Sequence, residues 1–258
     1  MRKMRIRNRK SQITAFVIIG LIIVGVIIAF FFPQLKKLVV SKTPEIEFKN
    51  CLESSIREKL DKILIRGGNL NPELYFTYDN ESVEYLCYTQ EWYKTCVMQK
   101  PLLKQSIENE IRKASSLDAN KCLADMEDSL RNRGYTLKEK GSKSFIVNFQ
   151  PDKIILGVDL SMELESNDGK ISYPSSVFQT EINSKIYDLI MIASSIQNFE
   201  ARYGDSAPED YMALYPDIKV QKLKQSDGTK IYILTSRNTQ EELRFATRSL
   251  AWPPGYAL

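Results

Sequence analysis

An uncharged stretch of twenty residues near the start of the chain constrains its fold more than any other feature. Residues 13–32 read ITAFVIIGLIIVGVIIAFFF, in which Thr14 is the only polar side chain. As an α-helix this stretch would be about 30 Å long, which matches the hydrocarbon core of a bilayer. In lipid a single segment must pair every backbone group internally, and only a helix does so. The sequence therefore predicts a transmembrane helix within residues 13–35.

Basic residues are distributed unevenly around this segment. Six Lys or Arg residues precede position 13, three more follow it up to position 42, and residues 1–42 contain no Asp or Glu. The positive-inside rule therefore places residues 1–12 in the cytoplasm. The domain that follows the apolar stretch would then lie outside the cell. Residues 43–258 carry a net charge of −5, so the overall charge of +4 belongs to the membrane flank. It does not indicate a nucleic-acid partner.

Two other interpretations of the apolar stretch involve cleavage. A secretory signal has an apolar core of about 7–15 residues and a small-x-small cleavage site, whereas this stretch is longer and ends in Phe-Phe-Phe-Pro. Residues 9–14 also resemble the leader of archaeal pilins, which is cut just ahead of the helix, here near Lys10–Gln12. Pilin helices usually carry a glutamate near their start, and the first glutamate of this chain is Glu45.

A wider resemblance rests on residues 10–20, KSQITAFVIIG. This segment resembles the N-terminus of uncharacterised single-pass membrane-anchored surface proteins of archaea, which have a pilin-like N-terminal segment. The extracellular domains of that family open with a cysteine-bearing helix that ends in Gly-Gly, as Asn50–Gly68 does here. The resemblance implies the same membrane topology and brings no known activity with it.

Periodicity beyond the membrane segment predicts an α+β fold with a mainly antiparallel sheet. Residues 36–137 form a mostly helical, cysteine-bearing part, and residues 138–258 form a β-meander covered by a helix. Helices are predicted at Pro44–Arg66, Leu102–Ala114, Ala119–Arg133 and Asn183–Tyr203. Strands are predicted at Leu74–Tyr78, Val83–Tyr88, Ser144–Phe149, Ile154–Glu165, Lys170–Ile182, Lys230–Ser236 and Glu242–Thr247.

The chain has four cysteines, and all lie beyond the apolar stretch: Cys51, Cys87, Cys96 and Cys122. Their spacing fits no usual zinc-ligand pattern, and outside the cell disulfides are favoured. Of the three possible pairings we favour Cys87–Cys96, which closes a short loop, with Cys51–Cys122, which ties the first helix to the third. Four buried free thiols are the alternative.

The chain contains no histidine. This absence excludes Ser-His-Asp triads, Cys-His pairs and His-ligated metals, and no phosphate-binding glycine loop is present. We assign no catalytic residue, metal ligand or cofactor. Two groups of acids are carboxylate candidates: Asp125, Glu127 and Asp128 on a predicted helix, and Asp159, Glu163 and Glu165 on a predicted strand. The second group could hold Ca²⁺ with further ligands, although a solvated surface explains both groups.

Two surface features are candidates for modification or binding. Asn80-Glu81-Ser82 is an N-glycosylation sequon in the predicted hairpin loop 79–82, which makes Asn80 a glycosylation candidate. Four aromatic residues surround the Cys87–Cys96 loop and are binding candidates, with core packing as the alternative: Tyr85, Tyr88, Trp92 and Tyr93. Trp252 and Tyr256 receive no assigned role.

Together these features favour a membrane-anchored extracellular protein of the cell envelope with no evident catalytic activity. It would bind other envelope proteins or copies of itself, or serve a structural role. One alternative is a pilin-like subunit, processed near Lys10–Gln12 and assembled through its apolar helix. Another is an extracellular hydrolase that uses carboxylates, which requires a concave cluster of acids with raised pKa values.

Overall fold

A computed structural model of the protein describes residues 44–166 and 169–253, together with Gly20, Ile23 and Val24, which are helical. The rest of the predicted transmembrane segment, the pilin-like leader and Tyr256 lie outside the described residues. Among the described residues, no helix combines the length and the apolar character needed to cross a membrane. Residues 1–43 and 44–258 form separate compact units, and the second is described below.

The second unit has the α+β fold that the sequence predicted. Its described helices are α1 (Pro44–Ile65), α2 (Leu103–Asn132), α3 (Ile186–Tyr203) and α4 (Pro208–Leu214). Its described strands form one six-stranded sheet and two three-stranded sheets, and only one strand pair in them is parallel.

Helix α1 is the predicted cysteine-bearing helix, and its apolar positions recur at helical spacing. The buried side chains on this stripe are Phe48, Leu52, Ile56, Leu60, Ile63 and Leu64. Gly68 donates its N–H to the Ile63 carbonyl (2.8 Å) and Gly67 donates to Leu64 (3.2 Å), which is a Schellman cap. Both glycines have positive φ, and a Cβ on Gly67 would lie 2.8 Å from Cβ of Glu84. The Gly-Gly pair therefore ends α1 and lets the strand Glu81–Tyr88 approach closely.

The predicted division of Leu102–Ala114 from Ala119–Arg133 is wrong, because α2 is one helix of 30 residues. The four residues 115–118, Ser-Ser-Leu-Asp, were taken as a break, yet they contain neither glycine nor proline. Buried Ser115 and Ala119 continue the apolar stripe with small side chains. Lys59 of α1 donates to the Ala114 carbonyl (2.8 Å) and to the Asp118 carboxylate, so α1 supports α2 at this point.

The six-stranded sheet joins residues from both parts of the chain. Its strands are β1 (Tyr75–Tyr78), β2 (Glu81–Tyr88), β3 (Val97–Met98), β10 (Ile218–Lys224), β11 (Thr229–Ser236) and β12 (Glu242–Arg248). The order is β1-β2-β12-β11-β10, with β3 also paired to β2. Strands β2 and β12 run parallel, with Ala246 opposite Tyr85 and Thr247 opposite Cys87. Strands from both predicted parts of the chain, residues 36–137 and residues 138–258, thus share one sheet.

Two three-stranded sheets replace the single predicted meander. One contains β4 (Thr136–Lys140), β7 (Ser161–Ser166) and β8 (Gly169–Tyr173) in the order β4-β7-β8. The other contains β5 (Phe145–Gln150), β6 (Lys153–Val158) and β9 (Gln179–Asn183) in the order β5-β6-β9.

Two of the predicted strands are therefore too long, because each divides into two elements. Ile154–Glu165 divides between β6 and β7 at Asp159-Leu160, and Lys170–Ile182 divides at a 3₁₀ turn, Ser175–Phe178. Alternation continues through the first break because Val158, Leu160 and Met162 are all buried. At the break Asp159 leaves the β6 pairing and exchanges backbone hydrogen bonds with Lys143 and Ser144 (both 3.0 Å).

The main core lies between the helices and the inner faces of the sheets. The predicted stripe of α3 is buried, with Ile186, Leu189, Ile190, Ala193 and Ile196 inside. This helix packs mainly on β12 and also contacts β5 and β6, whereas α2 is the main partner of β5. The expectation that α3 covers the meander is therefore corrected, because α2 is the helix that packs most extensively on these strands.

Candidate binding site beside the Cys87–Cys96 loop

Two disulfides join the four cysteines of the chain. Cys87 pairs with Cys96 across nine residues, and Cys51 pairs with Cys122 across 71 residues. These are the two pairings that the sequence favoured. The first closes a loop after β2, and the second links α1 to α2.

The Cys87–Cys96 loop is held against the segment that follows β12. Tyr93 donates its N–H to the Ala251 carbonyl (2.9 Å), and Leu250 donates to the Lys94 carbonyl (2.8 Å). The N–H of Cys96 donates to Oγ of Ser249 (3.0 Å). These bonds give the loop a fixed position although it lacks regular structure over most of its length.

The four aromatic candidates divide into two pairs. Tyr85 is buried, and its hydroxyl forms a hydrogen bond with the hydroxyl of Thr229 (2.7 Å). Its ring packs against that of half-buried Tyr88, with ring centroids 4.8 Å apart. Trp92 and Tyr93 are exposed, at 37% and 52%. The guanidinium of Arg248 lies 4.5 Å from the centre of the Trp92 ring and fixes that ring. Only Trp92 and Tyr93 therefore retain exposed aromatic surface.

Trp252 extends this exposed aromatic surface. Its side chain is 53% exposed, and its ring meets Tyr93 edge to face with centroids 5.0 Å apart. Trp252 also lines a cavity of about 520 Å³, and we call this cavity the Trp252 cavity. Its other walls are the end of α3, the β10–β11 turn and the segment after β12, which contribute Gly204, Asp205, Lys224, Gln225, Ser226, Gly228, Lys230, Ser249, Leu250 and Ala251.

A buried ionic network supports the wall of this cavity. Lys230 donates to Glu200 (2.7 Å), to the Gly204 carbonyl (2.5 Å) and to Asp205 (3.1 Å), and Tyr232 donates to the other oxygen of Glu200 (2.5 Å). The Glu200 side chain is fully buried and that of Lys230 is 8% exposed. Burial raises the pKa of Glu200 and of Tyr232. Buried charges are found where they are paired, and each of these has a partner.

Asp205 connects this network to the cavity surface. Burial alone would raise its pKa, but hydrogen bonds from Lys222 and Lys230 outweigh this effect and hold the pKa below its usual value. Lys222 contacts both carboxylate oxygens, at 3.0 and 3.1 Å. Asp205 is therefore ionised and still partly exposed at the cavity wall.

The β10–β11 turn supplies the polar groups at the cavity mouth. The side chains of Lys224, Gln225 and Ser226 make no hydrogen bond or ion pair with any other described residue, and Lys224 and Ser226 are exposed. The turn itself is closed by Thr229, which donates its N–H to Asp227 (2.9 Å). Consecutive donors and acceptors thus stand opposite Trp252 with their hydrogen-bonding capacity unused.

A second cavity, of about 450 Å³, is lined mainly by polar residues. Its buried acid is Glu84, which accepts from Asn69 and pairs with Lys100, each at 3.1 Å. Burial raises the pKa of Glu84 despite these partners. Among the described residues, the one aromatic residue in the lining of this cavity is Tyr85, which is buried, so we regard the Trp252 cavity as the better candidate site.

The acid groups that the sequence singled out lie away from both cavities. Asp125 and Asp128 are exposed on α2, and Glu127 pairs with Lys143 (3.1 Å). On the β4-β7-β8 sheet, lysines pair with Glu163 (3.3 Å) and with Glu165 (3.0 and 3.1 Å), and Asp159 accepts from Ser142 (3.1 Å). Within the described part of the chain, no group of three or more metal-binding side chains occurs.

Asn80 lies at the tip of the β1–β2 hairpin. Asp79 and Asn80 both have positive φ, at 53° and 61°, and Tyr78 pairs directly with Glu81. This is a two-residue turn of the type I′ class, shorter than the predicted loop, because Glu81 and Ser82 belong to β2. The Asn80 side chain is exposed, as a glycosylation acceptor must be.

Three residues of this site were not predicted from the sequence: Glu200 and Lys230 in the buried network, and Trp252 in the cavity wall. Glu200 follows Ile196 by four residues and therefore continues the buried stripe of α3. An acid at such a position is a usable signal of a buried ionic partner. Comparison of the chain with protein-family models, with curated proteins and with solved structures found no match.

Proposed function

We propose that this protein is a membrane-anchored extracellular binding protein of the cell envelope, of the single-pass archaeal type named above. Residues 13–35 would form the anchor, residues 1–12 the cytoplasmic end, and the α+β domain would face outward. The Trp252 cavity and the exposed aromatic residues beside it would provide the binding surface. No catalytic role is proposed for any residue.

One observation carries the extracellular location. Both disulfides lie in the domain beyond the apolar stretch, and one of them joins two helices through cysteines that are 71 positions apart in sequence. Stable disulfides form in oxidising compartments and are rare in the reducing cytosol. This pattern agrees with the orientation that the flanking basic residues favour.

The intact mass of the protein extracted from membranes tests the proposal. We expect the full-length mass, or that mass without Met1, because the anchor would be retained. Reduction should then add the mass of four hydrogens, two for each disulfide. The Asn80→Gln variant removes the glycosylation candidate and separates any attached glycan from other mass changes.

Other masses would support other functions. Loss of about ten residues, with a new N-terminus near Lys10–Gln12, would replace this proposal with a pilin-like subunit assembled through its helix. A mass that does not change on reduction would show free thiols and would contradict the extracellular location. Protease applied to intact cells gives an independent check, because the domain should be digested without lysis.

A further inference from the structure

The Trp252 cavity combines an aromatic face with unused hydrogen-bonding groups. Trp252 keeps half of its side-chain surface exposed, and Tyr93 limits the orientation of its ring. Aromatic rings bind apolar faces, whereas a few well-placed polar groups fix the orientation of a ligand. A ligand that suits this cavity therefore presents one apolar face and a rim of polar groups.

The polar side chains at the rim of the cavity include both hydrogen-bond donors and hydrogen-bond acceptors. Neither positive nor negative charge is in strong excess among them. Gln225 offers an amide that can do both, and Ser226 offers a hydroxyl. Asp205 has two oxygens, and the contacts from Lys222 and Lys230 leave part of its accepting capacity unused. Lys224 adds one cation with no described partner. A hydroxyl group both donates and accepts, so it can pair with each of these side chains.

Other ligand classes fit the cavity less well. A phosphate group would face the ionised Asp205 carboxylate, which lies on the same wall as the lysines. A purely apolar ligand would cover Gln225 and Lys224 and leave them unpaired, which costs free energy. A volume of about 520 Å³ is typical of small-molecule sites and too small for a folded partner.

We propose that the Trp252 cavity binds a saccharide unit of a surface glycan. The C–H face of a sugar ring would pack on Trp252, and its hydroxyls would bond to Gln225, Ser226 and Asp205. The inference rests on the proposed function, because a surface glycan is available only to an extracellular domain. It adds the chemical class of the ligand and the residues that bind it.

The chain offers a direct spectroscopic test, because Trp92 and Trp252 are its only tryptophans. The full-length protein is purified in a detergent without a sugar headgroup. In the Trp92→Phe variant, which keeps an aromatic ring beneath Arg248, all tryptophan fluorescence comes from Trp252. The variant is titrated with glucose, galactose, mannose, N-acetylglucosamine and glucuronate, and with oligomers of each.

We expect at least one saccharide to change the Trp252 emission in a saturable manner. The same saccharide should leave the emission of the Trp252→Phe variant, which contains only Trp92, unchanged. By calorimetry, Trp252→Ala should weaken binding at least about tenfold, which corresponds to roughly 1.4 kcal/mol. Gln225→Ala should weaken it several-fold, while Tyr215→Ala, which changes an exposed ring outside the cavity lining, should leave it unchanged.

Two outcomes would overturn the inference. One is the absence of saturable binding for every saccharide at millimolar concentration, and the other is equal binding by Trp252→Ala and the unmodified protein. Thermal unfolding of each variant excludes loss of the fold as a cause. If the mass and protease experiments succeed while saccharides fail to bind, the proposed location survives and only the ligand class is wrong.

Discussion

Lys230 and Glu200 form an ion pair in the interior, and its partners explain why two charges are tolerated there. One carboxylate oxygen of Glu200 accepts from Lys230 and the other from Tyr232, and Lys230 also donates to the carbonyl of Gly204 directly after α3. Breaking such a pair leaves one buried charge uncompensated, which typically costs about 3–5 kcal/mol. The pair therefore matters more to the domain than the ion pairs on its surface.

We expect Lys230→Met to lower the free energy of unfolding by about 3 kcal/mol or more. Lys224→Met is the matched control, because exposed Lys224 lies directly opposite Lys230 in the β10–β11 pair and should change stability by less than about 0.5 kcal/mol. Adding Glu200→Gln to Lys230→Met should recover part of the loss. Chemical denaturation measures all three, and equal stability of Lys230→Met and Lys224→Met would contradict the interpretation.

Tyr85 gives the domain a predictable response to alkaline pH. Burial raises the pKa of Tyr85 from 10.0 to about 12, and the nearby Asp227 and Tyr88 add to the rise. The folded state thus keeps this proton at a pH where the unfolded chain has lost it. The stabilisation is complete below pH 10.0, and it is lost as the pH rises through the folded-state pKa.

The Tyr85→Phe variant should therefore show a shallower loss of stability between pH 10 and 12 than the unmodified protein. At neutral pH it should be less stable by about 1 kcal/mol, because the hydrogen bond to Thr229 is absent. Tyr75→Phe, at an exposed tyrosine of β1, serves as the control. Parallel pH profiles for Tyr85→Phe and the unmodified protein would refute the assignment.

At the scale of elements, the two disulfides stabilise the fold to different degrees. A disulfide restricts the unfolded chain, and the effect grows with the length of the loop it closes. The Cys51–Cys122 loop spans 71 residues and the Cys87–Cys96 loop spans nine. In the chain-entropy model these lengths correspond to about 4.4 and about 2.6 kcal/mol.

We expect replacement of Cys51 and Cys122 by alanine to destabilise the domain more than replacement of Cys87 and Cys96, by about 2 kcal/mol. Equilibrium denaturation of the two double variants measures the difference. The reverse order would show that packing around the Cys87–Cys96 loop outweighs loop entropy. The second double variant should also weaken saccharide binding, since the loop carries Tyr93 beside Trp252.

Some elements could be predicted from sequence because their signals are local. The stripe of α1, its Gly-Gly cap and the β1–β2 turn all depend on neighbouring residues. The continuity of α2 could not, because it depends on Lys59 of another helix. The break at Asp159 was hidden for a similar reason, since alternation of buried residues continues across it while the pairing partners change.

At the scale of the whole molecule, strands from the two ends of the domain depend on one another. Strand β2 lies between β1 and β12, so the sheet forms only when residues separated by most of the domain meet. The residues of β2 and β12 do not indicate in the sequence that these two strands pair with each other. For this reason the Trp252 cavity, which needs β10, β11 and the segment after β12, could not be predicted from sequence.

We expect a secreted fragment that begins at Pro44 to fold cooperatively, because residues 44–258 form one compact unit. It should contain both disulfides and unfold in a single transition by circular dichroism. A fragment that begins at Gly67 lacks α1, with Cys51 and its six buried apolar residues, and should not fold. Failure of the longer fragment to unfold cooperatively would show that the domain requires residues 1–43.

The disulfide between α1 and α2 also determines how the domain carries mechanical load. Tension applied from the N-terminal side enters at Pro44 and reaches Cys51 seven residues later. From there it passes through the covalent bond to Cys122, so the 70 residues between them, 52–121, bear none of it. Fully extended, this segment would be roughly 240 Å long, and the disulfide prevents it from being pulled out. The loop that carries Trp92 and Tyr93 lies within this shielded stretch, and pulling on the N-terminal end of the chain would leave it out of the line of force.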